Sequence, residues 1–258
     1  MRIVPCVLLV LLVLPHVAQA DEAEKAWFGL VDKRYHKDEG FQLPEYDPDL
    51  PSVLIYGDSI SMGYQRFVQR ELKGRANVYR IYTNGGNSST IVPKMKKLQE
   101  TMAPFVAEGR WPEKWDVIQV NVGLHDLKYL KDGKMVSEGG TQVHTLDAYK
   151  QHLTDALDYL KETSPDATIV YATTTPVPEN SGGRAAGDAA RYNTAAREVL
   201  QQYPDIVLSD LYSFTKPHQS EWWTKPGNVH YTAKGQKAQG KEVARVIGKV
   251  LKARSEGQ

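Results

Sequence analysis

The sequence contains a single cysteine, Cys6, among its 258 residues. With one cysteine the chain cannot form an internal disulfide or build a metal site from several thiolates. An excess of charge of one sign is also lacking, because 32 basic residues are balanced by 31 acidic ones, which leaves a net charge of +1. No overall field is available to attract nucleic acid or an anionic membrane. We therefore expect a small, neutral or mildly charged partner.

Long apolar runs, internal repeats and low-complexity tracts are missing as well. The run VLLVLLVLP at residues 7–15 is too short to span a bilayer comfortably. It follows Arg2 and precedes Ala18-Gln19-Ala20, which fits a small-x-small cleavage rule. These features predict a signal peptide over residues 1–20, export to the periplasm or the outside, and a mature protein without cysteine or a stable membrane anchor.

Short β-branched runs alternate with longer amphipathic stretches, which is typical of a parallel sheet covered by helices. The predicted strands are residues 52–58, 77–83, 116–123, 168–176 and 205–211. The predicted helices are residues 60–72, 88–106, 146–163, 184–202 and 232–253. Residues 21–51 are predicted to drape over the surface as an N-terminal extension, and residues 52–258 form a three-layer α/β/α sandwich as one domain.

The segments that leave the first three predicted strands read GDSIS, NGGNSST and GLHDLK. In a parallel sheet these loops meet beyond the carboxyl ends of the strands, where helix N-termini direct free N–H groups at a ligand. Ser59 is therefore a candidate nucleophile, although a lone serine there is more often a helix cap. Gly86, with Asn84 beside it, and the pair His125 and Asp126 are candidates that an ordinary turn would also explain.

Taken in order, these blocks and the late NVHYTAKG resemble the SGNH hydrolases, also called GDSL-type esterases. The resemblance covers most of the chain after residue 51. It implies a flavodoxin-like sheet of strand order 2-1-3-4-5, Ser59 as the nucleophile and His230 as its base. It also implies an oxyanion hole formed by the backbone N–H groups of Ser59 and Gly86. No cofactor or metal is implied.

Two positions depart from the family pattern. The third block normally ends in G-x-N-D, and His125 occupies the position of the oxyanion-binding asparagine; an imidazole N–H can donate the same bond, with Asn121 as a fallback donor. Gly227 occupies the position of the usual aspartate, three residues before His230. The candidates for orienting the His230 ring are therefore Asn228 and four carboxylates, Asp126, Asp210, Glu179 and Glu221.

The preferred substrate is an O-acetylated carbohydrate, because Trp222 and Trp223 precede His230 and aromatic faces stack on sugar rings. One alternative is an esterase or thioesterase for lipid-derived acyl groups. Another is a carbohydrate-binding protein that keeps the fold without turnover. A metal-dependent hydrolase is the weakest hypothesis, because only His144 and His152, eight residues apart, suggest a pair of ligands. The sequence leaves the oligomeric state open.

Overall fold

The computed structural model describes residues 17–257, with side chains from residue 22 onward. Its main sheet contains five parallel strands, β1 (Ser52–Gly57), β2 (Asn77–Arg80), β3 (Val117–Asn121), β7 (Thr168–Ala172) and β8 (Val207–Ser209). Their spatial order is β2-β1-β3-β7-β8. Val53 of β1 pairs with Val78 on one side and with Val117 on the other. The predicted flavodoxin-like order 2-1-3-4-5 is confirmed.

Helices cover both faces of this sheet, so its central strands are buried throughout and read as continuous apolar runs. The long helices are α2 (Ser59–Glu71), α3 (Ile91–Met102), α4 (Leu146–Thr163), α5 (Asp188–Leu200) and α8 (Ala233–Glu256). Helix α2 packs against α8, whereas α4 packs against both α3 and α5. The helices form these two groups because each crossover between parallel strands is right-handed. The chain runs from β1 to β2 in one direction along the sheet and from β2 to β3, β7 and β8 in the other, so the crossover helices lie on opposite faces. The α/β class is therefore as predicted.

Several predicted strands are too long at their carboxyl ends. The fourth was expected to reach residue 176, but β7 ends at Ala172. Beyond it, the side chain of Asn193 bonds to both the N–H and the carbonyl of Thr174, at 2.8 and 2.9 Å. A side chain thus replaces the strand partner, and the released backbone becomes part of the rim above the sheet. Residues 81–83 likewise lie in a loop.

A second, smaller sheet was not predicted. It contains β4 (Tyr129–Lys131), β5 (Lys134–Met135) and β6 (Thr141–Gln142), paired antiparallel in the order β5-β4-β6. The N–H of Tyr129 donates to the carbonyl of Gly183 at 2.8 Å, which attaches this sheet to the loop at residues 179–187. Both segments follow carboxyl ends of main-sheet strands, so they enclose one side of the predicted site.

The predicted N-terminal extension, residues 21–51, is attached to the sandwich by a few buried side chains. It begins with α1 (Val17–Leu30), which packs against α3. Trp27 and Phe41 are buried, and the Trp27 indole N–H donates to the Phe41 carbonyl at 2.7 Å. Large aromatic side chains gain most from leaving water, so these residues join the core. Of the predicted signal peptide, residues 1–16 lie outside the described residues; between residues 17 and 257, no helix is long and apolar enough to cross a membrane.

Candidate active site

Ser59 is the first residue of α2 and follows the buried end of β1 almost directly. The helix cap is Asp58, whose Oδ1 accepts the Ile60 N–H at 2.9 Å. Because Asp58 performs the capping, the hydroxyl of Ser59 is free for another hydrogen bond. The serine backbone N–H lies in the first turn of the helix, where N–H groups have no partner within the helix. Ser59 therefore presents a hydroxyl and a backbone donor at the same point.

The loop after β2 is held directly against the end of β1. The Gly85 N–H donates to the Gly57 carbonyl at 2.8 Å, and a Cβ on Gly85 would lie 2.6 Å from that oxygen. Only glycine permits this approach. Lys94 secures the loop from α3 by donating to the carbonyls of Asn84 and Gly85 at 2.8 and 2.9 Å. The predicted oxyanion donor Gly86 is thereby placed beside the Ser59 strand, although its N–H bonds to the Asn84 Oδ1 at 2.9 Å.

His230 lies in a short extended segment that precedes α8. Its carbonyl accepts the Thr224 N–H at 2.9 Å, and the Thr232 N–H donates to the Trp222 carbonyl at 2.7 Å. Thr232 then caps α8 with its side chain. The two-tryptophan segment thus fixes the backbone of His230 by pairing with it. The antiparallel bridge between Trp223 and Tyr231 could not be predicted from the sequence, because it involves only a few residues.

A continuous chain of hydrogen bonds connects Ser59, His230 and Asn228. The His230 Nε2 lies 2.9 Å from the Ser59 Oγ, and its Nδ1 lies 2.9 Å from the Asn228 Oδ1. The same Asn228 atom accepts the backbone N–H of His230 at 2.9 Å, so it is the amide oxygen and not the nitrogen. An oxygen can only accept, hence Nδ1 carries the proton and Nε2 is left with a lone pair. This is the tautomer that can accept the serine proton.

The four carboxylates considered as partners of His230 are engaged elsewhere or lie apart from the ring. Asp210 caps a short helix, α6 (Leu211–Thr215), and pairs with Arg197 at 2.9 Å. Glu221 pairs with Lys234 at 2.9 Å. Glu179 is exposed in the loop that faces Gly227. Of the groups proposed from the sequence, Asn228 is the one that contacts the ring.

Asp126 is completely buried and joins three elements. Its carboxylate accepts the Ser88 N–H at 3.0 Å and the Ser88 hydroxyl at 2.5 Å, and it lies 2.7 Å from the His144 Nδ1. The His144 ring in turn contacts His152, with ring centroids 4.4 Å apart. Asp126 therefore connects the loop after β2 to the loop after β3 and to the segment before α4. It braces the site and does not orient His230, in contrast to one of the sequence hypotheses.

His125 lies half-buried at the site with a defined tautomer. Its Nδ1 lies 3.0 Å from the Lys128 Nζ, which can only donate, so the ring proton is on Nε2. Burial lowers the pKa of His125 to about 3, with Lys128 and Arg184 as further causes. The ring is therefore neutral near pH 7 and has one N–H to donate. The alternative donor Asn121 is already hydrogen-bonded, because its amide N–H donates to the Ala172 carbonyl at 3.1 Å.

Burial and two nearby cations lower the pKa of the candidate base. The His230 ring is open to solvent on one side, yet the site walls desolvate it, and this burial together with Arg184 and Lys128 lowers its pKa below the ordinary 6.5. Burial also lowers the pKa of Lys128 to about 8. Burial raises the pKa of the capping carboxyl of Asp58 to about 6. The sequence hypotheses did not include Lys128 or Arg184. Lys128 could have been considered, because it follows His125 by only three residues.

The two tryptophans do not both face the site. Trp222 is buried, with its ring stacked on His218 at a centroid distance of 4.1 Å and tilted against Phe214. It is part of the packing under the His230 segment, so its ring is not exposed for stacking on a sugar. Trp223 is half-buried. Within the described residues, no three histidine, cysteine, aspartate or glutamate side chains are grouped so that they could hold a metal ion.

A serine hydroxyl bonded to a neutral imidazole at the carboxyl edge of a parallel sheet defines a hydrolase-type site. Comparison with known proteins agrees with this class. The model of the GDSL-like Lipase/Acylhydrolase family matches residues 55–238, and the chain belongs to that family. The predicted resemblance to the SGNH hydrolases is thereby confirmed, and the chain is classed with the carboxylic ester hydrolases.

The individual proteins that resemble this chain share 30% sequence identity with it or less. A multidomain esterase of Ruminococcus flavefaciens is 30% identical in an alignment of 222 residues that covers 79% of this chain and 28% of that protein. The chain thus spans just over a quarter of this relative. A lipase/acylhydrolase from Enterococcus faecalis has a TM-score of 0.57 at 15% identity, covering 77% of this chain and 95% of the other. The acetyl xylan esterase AlAXEase has a TM-score of 0.53 at 17% identity, covering 76% and 99%. These two structures share the fold.

Proposed function

We propose that this chain hydrolyses carboxylic esters with Ser59 as the nucleophile and His230 as the general base. The observation that carries the proposal is the chain of hydrogen bonds from Ser59 through His230 to Asn228. The Ser59 oxygen attacks the ester carbonyl while its proton moves to Nε2 of His230. The imidazolium then returns this proton to the departing alcohol, which leaves an acyl-serine.

The second half of the reaction releases the acid. Water loses a proton to Nε2 of His230 and attacks the acyl-serine carbonyl, and the proton passes to the Ser59 oxygen as the acid leaves. Asn228 keeps the ring in the reactive tautomer throughout. Because an amide carries no charge, Asn228 stabilises the imidazolium less than a carboxylate would. The proposed enzyme is therefore expected to be slower than one with a carboxylate in the position of the Asn228 amide.

The oxyanion of each tetrahedral intermediate is held by three donors. They are the backbone N–H groups of Ser59 and Gly86 and the Nε2–H of His125. The Gly86 N–H bonds to Asn84 in the free protein, and an oxyanion is a stronger acceptor than a neutral amide oxygen. The neutral state of His125 and the contact of its Nδ1 with Lys128 support the role of its Nε2–H.

We further propose that the substrate is an O-acetylated carbohydrate and that the chain is exported. The rim of the site carries Asn84, His125, Lys128 and Asn228, which suits a polar alcohol better than a long acyl chain. The shared fold of the acetyl xylan esterase AlAXEase is compatible with this choice. Since Trp222 is buried, the sugar is held by polar groups and by Trp223 at most.

A screen of the purified chain tests the function. Para-nitrophenyl esters of two to twelve or so carbons and acetylated sugars are compared, with Ser59→Ala as the control. The proposal expects the highest kcat/KM on acetyl esters and a loss of roughly a thousand-fold or more in Ser59→Ala. A preference for long acyl chains or thioesters would support the lipid alternative. Equal background rates in both proteins would support a carbohydrate-binding protein without turnover.

A further inference from the structure

Two cations beside the candidate active site, Lys128 and Arg184, form no ion pair at bonding distance with any of the described residues. Lys128 is half-buried and donates one hydrogen bond, to the Nδ1 of His125. Arg184 is also half-buried, and its Nε donates to the Leu124 carbonyl at 2.9 Å. Between residues 22 and 257, neither side chain has a carboxylate at ion-pair distance. Cations removed from water are costly unless they are paired, so this arrangement calls for an explanation.

The guanidinium of Arg184 keeps most of its donors. Only its Nε bonds to another group of the described residues, which leaves both terminal nitrogens free. Arg184 lines a cavity of about 460 Å³ together with Tyr129, Asn180 and the backbone of residues 181–183. The Asn180 carbonyl in this wall lies against Gly227, which directly precedes Asn228. Arg184 thus lines an open volume whose wall also contacts Gly227 in the His230 loop.

The carboxylates nearest to this cavity do not form ion pairs with the two cations. Glu179 also lines the cavity, but it is exposed, so water and salt screen its charge. The buried carboxylate of Asp58 attracts both cations from a distance, but it caps α2 and hydrogen-bonds to neither of them. Asp126 is bonded to Ser88 and His144. The positive charge at the cavity wall is therefore available to a ligand.

These cations also work against the reaction if the substrate is neutral. Both lower the pKa of His230, which means that they disfavour the imidazolium that must form in the transition state. An anion bound between the two cations and the ring would reverse this effect. Arg184 donates to the carbonyl of Leu124, the residue directly before His125, so an anion bound by Arg184 would lie on the His125 side of the site.

We propose that the Ser59–His230 site takes esters whose alcohol part carries a carboxylate, with Arg184 binding that group and Lys128 adding to the attraction. This rests on the proposed function and narrows it to O-acetylated sugar acids, such as acetylated hexuronic acids within an acidic saccharide. Arg184 matches a carboxylate because its terminal N–H groups can bond to both oxygens at once. Arg184 is in this sense a residue that determines specificity.

A matched set of acetate esters tests the proposal. The esters are para-acetoxybenzoate, which is anionic, its neutral methyl ester, and para-acetoxybenzenesulfonate, which replaces the carboxylate by a sulfonate. The measured quantity is the ratio of kcat/KM for each anionic ester to that for the neutral one. Intact protein should prefer the carboxylate roughly ten-fold, and Arg184→Gln should lose most of this preference. Arg184→Lys, which keeps the charge without the fork of donors, should retain part of it.

The matched control is Arg245→Gln, which removes an exposed arginine that pairs with Glu242 on α8. Its preference should equal that of the unmodified protein. No preference for the carboxylate in the unmodified protein, or the same preference in Arg184→Gln, would overturn the proposal while hydrolysis of the neutral ester still supports the esterase function. A stronger preference for the sulfonate would overturn the assignment of a carboxylate. Failure to hydrolyse any of the three esters would instead contradict the proposed function itself.

Discussion

The amide oxygen of Asn228 lies 2.9 Å from the Nδ1 of His230 and also accepts the backbone N–H of the same histidine. This double contact holds the ring in one orientation and one tautomer without a negative charge. The position that usually supplies the acid in this family is Gly227, and its neighbour has taken over the contact. The site therefore has the geometry of a triad, whereas its third member is neutral.

The first prediction is that Asn228→Asp increases activity. A carboxylate at the same distance would stabilise the imidazolium and raise the pKa of His230. The plateau of kcat should rise about ten-fold, since one pKa unit of interaction corresponds to about 1.4 kcal/mol. The rise of activity with pH should also move to higher pH. Steady-state kinetics from pH 4 to 9 or so measure both effects.

Asn228→Ala is the control for this prediction. It removes the acceptor, so the ring is free to rotate and the reactive tautomer is no longer favoured. Activity should fall about five-fold or more, in line with about 1 kcal/mol for a neutral hydrogen bond. If Asn228→Ala retained full activity and Asn228→Asp gained none, another group would have to orient His230.

The second prediction concerns the pH dependence of the unmodified protein. His230 is a base only when neutral, and burial with the nearby cations lowers its pKa below 6.5. Activity should therefore rise with pH, reach half its maximum below pH 6.5, and stay level near neutrality. Asp58, whose pKa burial raises to about 6, ionises in the same range. Asp58→Asn keeps the helix cap and removes this ionisation. If the rise of activity with pH disappeared in this variant, the rise would report the ionisation of Asp58 and not that of His230.

The third prediction is that His125→Ala lowers kcat by roughly two to three powers of ten with little change in KM. One oxyanion donor contributes about this much, because its bond strengthens as charge develops on the substrate oxygen. His125→Asn should recover part of the loss, since its amide can donate from a similar position. An unchanged kcat in His125→Ala would mean that the two backbone donors suffice.

The fourth prediction distinguishes Gly227 from its neighbour Asn228. Gly227 has φ +73°, and a Cβ there would lie 2.6 Å from the Asn180 carbonyl oxygen. Gly227→Asp is thus a poor way to restore an acid, and even Gly227→Ala should lower the free energy of unfolding by roughly 2 kcal/mol or more. Gly74→Ala is the control, because Gly74 has φ +70° with open space around its Cβ position. Urea denaturation should show a larger loss at Gly227; equal losses would mean that the loop at Asn180 moves freely.

Much of the fold followed from local patterns in the sequence. The alternation of β-branched runs with amphipathic stretches predicted five parallel strands, and the polar loops after the strands predicted the rim on which the site lies. The order of the strands was implied by the resemblance to the SGNH hydrolases. These signals are local because side-chain periodicity and turn residues act over a few positions. The small sheet at residues 129–142 escaped notice because its strands are two or three residues long.

The sequence by itself determined which residues could take part in the chemistry. The tertiary structure decided which of them are in contact, because five groups could have reached His230 and only distances between loops distinguish Asn228 from the carboxylates. The tertiary structure also decided that Trp222 packs under the His230 segment and is not exposed to a substrate. It likewise placed Arg184 next to the His125 loop, although the two residues are about sixty positions apart in the chain. Contacts between distant segments depend on how the loops fold over the sheet, and a local pattern carries no information about that arrangement.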